Sequence, residues 1–411
     1  MAAAPQGAER FVDSSDGTRL AVYLQGNPDG PTVVLVHGWP DSHVLWDGVV
    51  PLLTERFRIV RYDNRGVGGS SVPRRVSAYT MMRFADDFAA VIAALSPGQP
   101  VHVLAHDWGS TGVWEYLSRP GAADRVASFT SVSGPSADHL VAYISNGLRR
   151  PYRSRGFLRA LSQTLRLSYM AVFSIPVAAP LLIRAALSNA QVRRSLVKGV
   201  PGGQIHHSDT LAKDAANSVK TYPANYFRSL SKAPQDHHHV DVPVQLVVNT
   251  EDPYVRPYGY DATSRWVSRL WRRDIKAGHW SPMSHPQVLA AAVHEIADLT
   301  EGKPPSRALR RAQVGRPREY CGDTLVSVTG AGSGIGRETA LAFAREGAEL
   351  VVSDINEAAV KDTAAQISAR GGVAYPYVLD VADAAAVEAF AEQVCAEHGV
   401  PDIVVNNAGI G

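Results

Sequence analysis

Two successive parallel-sheet units of α/β type are what this chain's residue pattern predicts, and three observations carry that expectation. Short apolar runs alternate with helical segments from residue 9 to about 134. The alternation stops between 135 and 240, where helical patterns take over, and strand character returns only at 244–248. After a Pro- and Arg-rich stretch the alternation begins again at 325. A helical block enclosed by one sheet's strands is an insertion lying over that sheet, and the later restart is a second unit. At 411 residues the chain is longer than one core ordinarily serves, which agrees with two.

The elements follow in order. Residues 33–36, 58–62, 101–105 and 126–132 are apolar, β-branched runs of strand length, the signature of strands buried on both faces. With 244–248 and a final helix over 287–300 they complete the first unit: 1–134 and 241–302 form its core and 135–240 its helical cap. Residues 303–322, with Pro304, Pro305, Pro317 and six Lys or Arg between Lys303 and Arg318, read as a solvated linker. Strand runs at 325–328, 349–353, 373–379 and 403–405 then build the second unit, 323–411.

Composition narrows the function classes. Hydrophobic residues make up 45% and charged ones 19%, ordinary for a globular protein, and a net charge of +2 gives no reason to expect nucleic acid as partner. Cys321 and Cys395 form neither a disulfide framework nor a zinc pattern, and no metal site is expected. The N-terminus lacks an apolar stretch behind a basic start, and the longest uncharged run, 167–183, is broken by Pro176 and Pro180, so a cytoplasmic protein is expected. The cap stands apart. It holds fourteen Lys or Arg against four Asp or Glu, a local charge of +10, with apolar runs such as 172–183 among them. A solvated basic face accounts for this, and so does a greasy, cationic mouth for lipid-like or anionic substrates in peripheral contact with a membrane.

The chemistry centres on Val101-His102-Val103-Leu104-Ala105-His106-Asp107-Trp108-Gly109. A buried strand runs into a small-x-nucleophile-x-Gly turn and then a helix, which projects one side chain above the sheet. That side chain is Asp107. An aspartate carboxyl ordinarily titrates at about 3.9, so it is an anion at neutral pH. It can attack an sp³ carbon and leave an alkyl-enzyme ester. Epoxides and alkyl halides are the substrates that fit. Asp252, directly after a predicted strand, and His279, on a loop before the last helix, complete the chain order nucleophile, acid, histidine. Asp138 is a second candidate acid. The loop His37-Gly38-Trp39-Pro40 places the backbone N–H of Trp39, with that of Trp108, to form an oxyanion hole.

Over residues 9–302 the sequence resembles the epoxide hydrolases of the α/β-hydrolase fold, through His37-Gly-Trp-Pro40, Asp63-Asn-Arg-Gly-Val-Gly-Gly-Ser70, His106-Asp-Trp-Gly109, Asp252 and Gly278-His-Trp280. Within that resemblance Asp63 and Arg65 brace a turn. The resemblance implies two cap tyrosines that donate to the epoxide oxygen, and no cofactor. Ser168-Tyr169-Met-Ala-Val-Phe-Ser-Ile-Pro176 assigns the first role to Tyr169. The second departs from the pattern: Phe227 occupies the expected position in Asn225-Tyr226-Phe227-Arg228, leaving Tyr226 or, one turn earlier, Tyr222. Two other readings stand beside a small-molecule, lipophilic epoxide as substrate. One is a haloalkane dehalogenase, which needs a second N–H to hold halide, yet all seven tryptophans lie outside the cap. The other is a silent binding module, which an absent triad member would support.

Thr329-Gly330-Ala-Gly-Ser-Gly334-Ile335-Gly336 follows a predicted strand and opens a helix, a turn through which backbone approaches a pyrophosphate. Asp354 and Asp380 end the next two strands, and Asn406-Asn407-Ala-Gly409 ends the fourth. This part is similar to short-chain dehydrogenases/reductases, which implies NAD held by Gly330, Gly334, Ile335, Gly336, Asp354, Asp380 and Asn407. The family's Tyr-x-x-x-Lys pair lies beyond Asn-Asn-Ala-Gly and beyond Gly411, so the expectation here is weak or absent NAD binding, no oxidoreductase activity, and an uncovered sheet edge open to self-association. The expected fold class is therefore α/β: an α/β-hydrolase domain with a helical cap, followed by a truncated Rossmann-like parallel-sheet segment.

Overall fold

The structure, a computed structural model, describes residues 8–196, 208–231 and 239–409. It divides into two compact units, Met1–Pro305 and Ser306–Gly411.

The first unit is an eight-stranded sheet. Its strands are β1 (Ala8–Asp13), β2 (Arg19–Gly26), β3 (Thr32–Val36), β4 (Arg58–Tyr62), β5 (Val101–His106), β6 (Val126–Val132), β7 (Val244–Asn249) and β8 (Leu270–Ile275), in the order β1-β2-β4-β3-β5-β6-β7-β8. From β4 to β8 every pairing is parallel, and β3 and β5 at the centre are buried throughout. β1 and β2 pair antiparallel with each other, and β2 with β4. These two strands and β8 are additional to the strands expected from the sequence. β1 and β8 are edge strands, paired on one side only, so they carry polar residues that hide the apolar run. In β8, Arg272 and Asp274 pair at 2.7 Å, while Leu270 and Trp271 supply the burial.

Helices cover both faces. Phe88, Val91 and Ile92 of the helix Met81–Leu95 and Val113 and Trp114 of the helix Asp107–Leu117 pack on one side. Trp46, Leu53 and Phe57 join Leu289 and Val293 of the helix Pro286–Thr300 on the other. The turn after β4 is locked by charge. Arg65 is fully buried and reaches Asp87 at 2.6 Å and Asp16 at 2.9 Å. Asp63 accepts from the backbone N–H of His43 at 2.9 Å and of Gly69 at 3.1 Å.

Between β6 and β7 the chain forms the cap, with helices Ala137–Leu148, Ser154–Arg166, Tyr169–Phe173, Ala178–Ser188, Ala190–Leu196, Leu211–Ser218 and Thr221–Ser231. Pro176 and Val177, the latter at φ +65°, separate the third from the fourth. Met170, Ile183, Leu187, Ala215 and Tyr222 form the cap's own apolar core, with Trp39 and Trp108 packed against it from below. The side chains of Phe227 and Arg228 lie outside the described part.

The second unit is a parallel sheet of β9 (Leu325–Thr329), β10 (Glu349–Asp354), β11 (Val373–Val378) and β12 (Ile403–Val405), ordered β11-β10-β9-β12. Its helices are Gly334–Arg345, Glu357–Ser368 and Ala384–His398. The linker reading of 303–322 needs correction. Ser306 caps a helix, Arg307–Ala312, whose Leu309 and Ala312 are buried. The basic residues are partnered within the unit: Arg316 with Asp323 at 2.6 Å, Arg310 with Asp323 at 3.0 Å and with Glu349, Arg311 with Asp402. Partners up to 91 residues away turned an apparently solvated basic run into a folded edge.

Candidate active site

Asp107 sits at the junction of β5 and the helix that follows it, with φ +50°. A non-glycine residue in the left-handed region is strained, and here the strain holds the carboxylate above the strand end. Two glycines make room. A Cβ on Gly109 would lie 2.1 Å from the His37 carbonyl oxygen, and one on Gly38 would lie 2.4 Å from the Cβ of Asp107. Neither position tolerates a side chain.

The carboxylate is held from two sides. The backbone N–H of Trp39 donates to Asp107 Oδ1 at 2.9 Å, and His279 Nε2 faces Oδ2 at 3.6 Å. The N–H of Trp108 lies in the first helical turn, where no intrahelical acceptor exists, so it is available beside that of Trp39. On its other side the imidazole is fixed by Asp252, whose Oδ2 is 2.8 Å from Nδ1. Asp252 is anchored in turn by the N–H groups of Tyr254 at 2.7 Å and Val255 at 3.2 Å. The structure thus brings together the three residues expected from the sequence. Asp138 lines the cavity, and Asp252 is the acid that contacts the histidine.

Burial disfavours an imidazolium at His279, but the charge of Asp252 and the bonds to Asp107 and Asp252 outweigh it and push the group up to about 10. For Asp252, burial is again the largest influence and is again overcome: the charge and hydrogen bond of His279 hold its carboxyl below the usual range. A raised histidine is protonated more readily in the folded than in the unfolded chain. The stability it adds is complete below about 6.5 and is lost as pH rises towards about 10. Urea unfolding should therefore show the stability difference between wild type and His279→Gln shrinking over that window. A constant difference across it would contradict the assignment.

Above Asp107 the cap contributes aromatic rings. Tyr169 and Tyr222 stand edge to face at 5.8 Å and interact through their hydroxyls, and Tyr222 is also bonded by the Trp108 indole. Burial, reinforced for each by the charge of Asp107, raises both phenols far above their ordinary range, so both remain protonated. Tyr222 packs against Trp39, Trp108 and Tyr169. Tyr226 lines the larger cavity and packs against the cap core.

Two residues carry no motif and belong to the site nonetheless. Tyr254 packs on Tyr169 at 5.2 Å and on His279 at 4.9 Å. Asp41 is buried and accepts from the Trp280 indole at 2.9 Å; burial pushes its carboxyl up to about 7, with Trp280 opposing and the charge of Asp107 adding. Two cavities, about 710 Å³ and about 430 Å³, open from this centre, and Asp107, Tyr169, Tyr254 and His279 line both. Among the described residues no cluster of three His, Cys, Asp or Glu side chains could hold a metal.

In the second unit Gly330 and Gly334 adopt φ +65° and +52°, and a Cβ on Gly336 would lie 2.1 Å from the Gly330 carbonyl oxygen. Nothing lies within 4 Å of where a Cβ would stand on Gly334, and Ile335 beside it is exposed. Asp354 accepts from Gly332 N–H at 2.8 Å, which ties the end of β10 to this turn. Asn407 donates to the carbonyls of Thr329 at 3.1 Å and Gly330 at 3.3 Å. Asp380 is exposed and caps its own turn through Ala382 N–H at 2.9 Å. The open, glycine-walled turn beside a carboxylate fits the pyrophosphate and adenosine ribose of a dinucleotide.

Comparison with known proteins agrees with both units. The family model for the alpha/beta hydrolase fold matches residues 31–286, and that for short chain dehydrogenases matches 324–411. The chain is 78% identical over 410 residues, 99% of its length, to a Mycobacterium tuberculosis protein named "Probable oxidoreductase EphD", of which it covers 69%. It is 25% identical over 327 residues to "Epoxide hydrolase A" of the same organism, covering 70% of this chain and 96% of that one. An epoxide hydrolase from Bacillus megaterium, solved with an inhibitor, superposes with a TM-score of 0.58 at 19% identity, over 70% of this chain and all of that one.

Proposed function

Since this chain belongs to the alpha/beta hydrolase fold family, with a short-chain dehydrogenase segment following, we propose that its first unit converts a lipophilic epoxide to a vicinal diol through an ester on Asp107. The observation that carries the reading is a carboxylate at the strained elbow facing two phenols that keep their protons. In the first step Asp107 Oδ2 attacks an epoxide carbon and the ring C–O bond breaks. Tyr169, assisted by Tyr222, gives its proton to the departing oxygen. Oδ1, held by the Trp39 N–H, becomes the ester carbonyl oxygen.

Alkylation removes the charge of Asp107, and with it part of what holds the proton on His279. That proton passes to the tyrosinate left by ring opening, which restores the phenol and leaves a neutral imidazole able to act as base. It takes a proton from water, which attacks the ester carbonyl carbon, and Asp252 steadies the imidazolium that forms. The N–H groups of Trp39 and Trp108 bind the oxyanion; its collapse breaks the ester C–O bond, and the leaving alkoxide takes the proton of the carboxylic acid formed on Asp107, which releases the diol and restores the carboxylate beside the imidazolium. Two cavities meeting at Asp107 suit an epoxide with an apolar arm on each side.

Dehalogenation finds little support. The Trp39 indole donates to the Ala215 carbonyl at 3.1 Å and that of Trp280 to Asp41, so neither is directed to a halide. Styrene oxide, an epoxy fatty acid and 1-bromobutane offered side by side should yield diol from the first two and no bromide from the third. Bromide without diol would overturn the reading.

For the second unit we propose that Gly330, Gly334, Ile335, Gly336, Asp354 and Asn407 hold the adenosine and pyrophosphate of NAD. Bound there, NAD supplies hydride-transfer chemistry. The Asp354 carboxylate receives a ribose hydroxyl and repels a 2′-phosphate, which favours NAD over NADP.

A further inference from the structure

We propose that the outer face of the cap docks on an anionic lipid bilayer. Of the fourteen exposed large hydrophobic residues among the described residues of the first unit, nine lie between Tyr152 and Leu182. They are not scattered. On the helix Ser154–Arg166, Leu158, Leu161 and Leu165 recur at three- and four-residue spacing, one stripe on the side opposite the buried Ala160 and Gln163. An amphipathic helix on a globular surface normally turns its apolar stripe inward. This one is anchored by a polar residue instead: Gln163 donates to the Tyr254 carbonyl at 2.7 Å and accepts from Arg256 N–H at 3.1 Å. Its leucines are left facing solvent.

The next cap segment repeats the arrangement. In the helix Ala178–Ser188, Ile183 and Leu187 point into the cap while Leu181 and Leu182 are 63% and 67% exposed. The stretches Ser154–Phe173 and Ala178–Ser188 meet at 99°, and among the described residues no single helix is long and apolar enough to cross a membrane. Both helices lying in one interface suits that bend.

Charge selects the partner. Nine arginines fall between residues 149 and 194, and no Asp or Glu occurs from 139 to 208. Arg155, Arg159 and Arg166 flank the leucine stripe, and Arg184 follows the second apolar patch. Exposed leucines bordered by arginines, with no acidic residue in the segment, match a surface with apolar depth and negative headgroups, whereas a second copy of the same face would set arginine against arginine. The position also has a use. Arg149 and Leu165 line the larger cavity and Ile175 and Leu182 the smaller, so both routes to Asp107 open at this face. Docking would present them to molecules dissolved in the bilayer, whichever bond Asp107 attacks.

Flotation of the full chain with phosphatidylglycerol/phosphatidylcholine vesicles tests this, with pure phosphatidylcholine vesicles alongside. The chain should float with the anionic vesicles, stay behind with the neutral ones, and be released by high salt, which shortens the reach of charge from about 8 Å at physiological ionic strength. Leu158→Gln/Leu161→Gln/Leu181→Gln and Arg155→Gln/Arg159→Gln should each weaken binding about tenfold or more. None of these residues lines either cavity, so both variants should keep the wild-type thermal midpoint and styrene oxide turnover. Absence of binding to anionic vesicles, equal binding to neutral ones, or variants that bind like wild type would each overturn the proposal. So would a concentration-dependent dimer that the leucine variant dissolves while vesicles capture nothing, because the face would then belong to a second copy.

Discussion

Asp107→Asn is expected to lose turnover by about 10⁴-fold or more while leaving the fold intact. Asparagine keeps the shape at the elbow, and its carbonyl oxygen still accepts from the Trp39 N–H. It has no anionic oxygen to attack carbon. Because the covalent step is the first, kcat and kcat/KM should fall together, and neither the ester nor diol should form. A variant that retains even a hundredth of wild-type diol production would mean that water attacks the epoxide directly and that Asp107 serves another purpose.

The second large effect is expected at the cap. Tyr169→Phe/Tyr222→Phe removes both hydroxyls that face Asp107, and general-acid assistance of this kind contributes about 10²–10⁴-fold. The loss should fall on ester formation, seen as kcat/KM in single-turnover measurements. Hydrolysis of an ester already formed should continue at nearly the wild-type rate, because His279 and the N–H groups of Trp39 and Trp108 carry that step. Each single variant should lose less than the double, as either hydroxyl can approach the oxygen. Equal slowing of both steps would point to a collapsed cap rather than a missing proton donor, and Tyr226→Phe serves as the comparison that should change little.

How much of this was legible in the chain depended on how local each feature is. Asp107, Trp39 and Gly109 belong to short turns whose backbone geometry is written in adjacent residues, and Gly38 and Gly109 are glycines for a steric reason that the structure makes explicit. Asp252 and His279 could be placed because each follows a readable strand or precedes a readable helix. The second phenol could not. Choosing between Tyr222 and Tyr226 requires the orientation of the helix Thr221–Ser231 relative to Trp39 and Trp108, which tertiary packing sets. Asp41 and Tyr254 were hidden for the same reason: their roles arise from Trp280, Tyr169 and His279, more than eighty residues distant or on another loop. Burial of the edge strands β1 and β8 on fewer sides diluted their apolar pattern. The basic stretch before β9 looked solvated because Asp323, Glu349 and Asp402, which neutralise it, are supplied by later segments.

The central claim is that a covalent ester forms on Asp107 and that His279 is needed to release it. His279→Gln, mixed with styrene oxide and examined by intact-mass and peptide mass spectrometry, tests both parts at once. The account predicts that the protein gains the mass of one substrate molecule, that the gain maps to the peptide holding Asp107, and that it is absent from Asp107→Asn/His279→Gln. An unmodified His279→Gln protein that still turns over, or an adduct on any other residue, would contradict it.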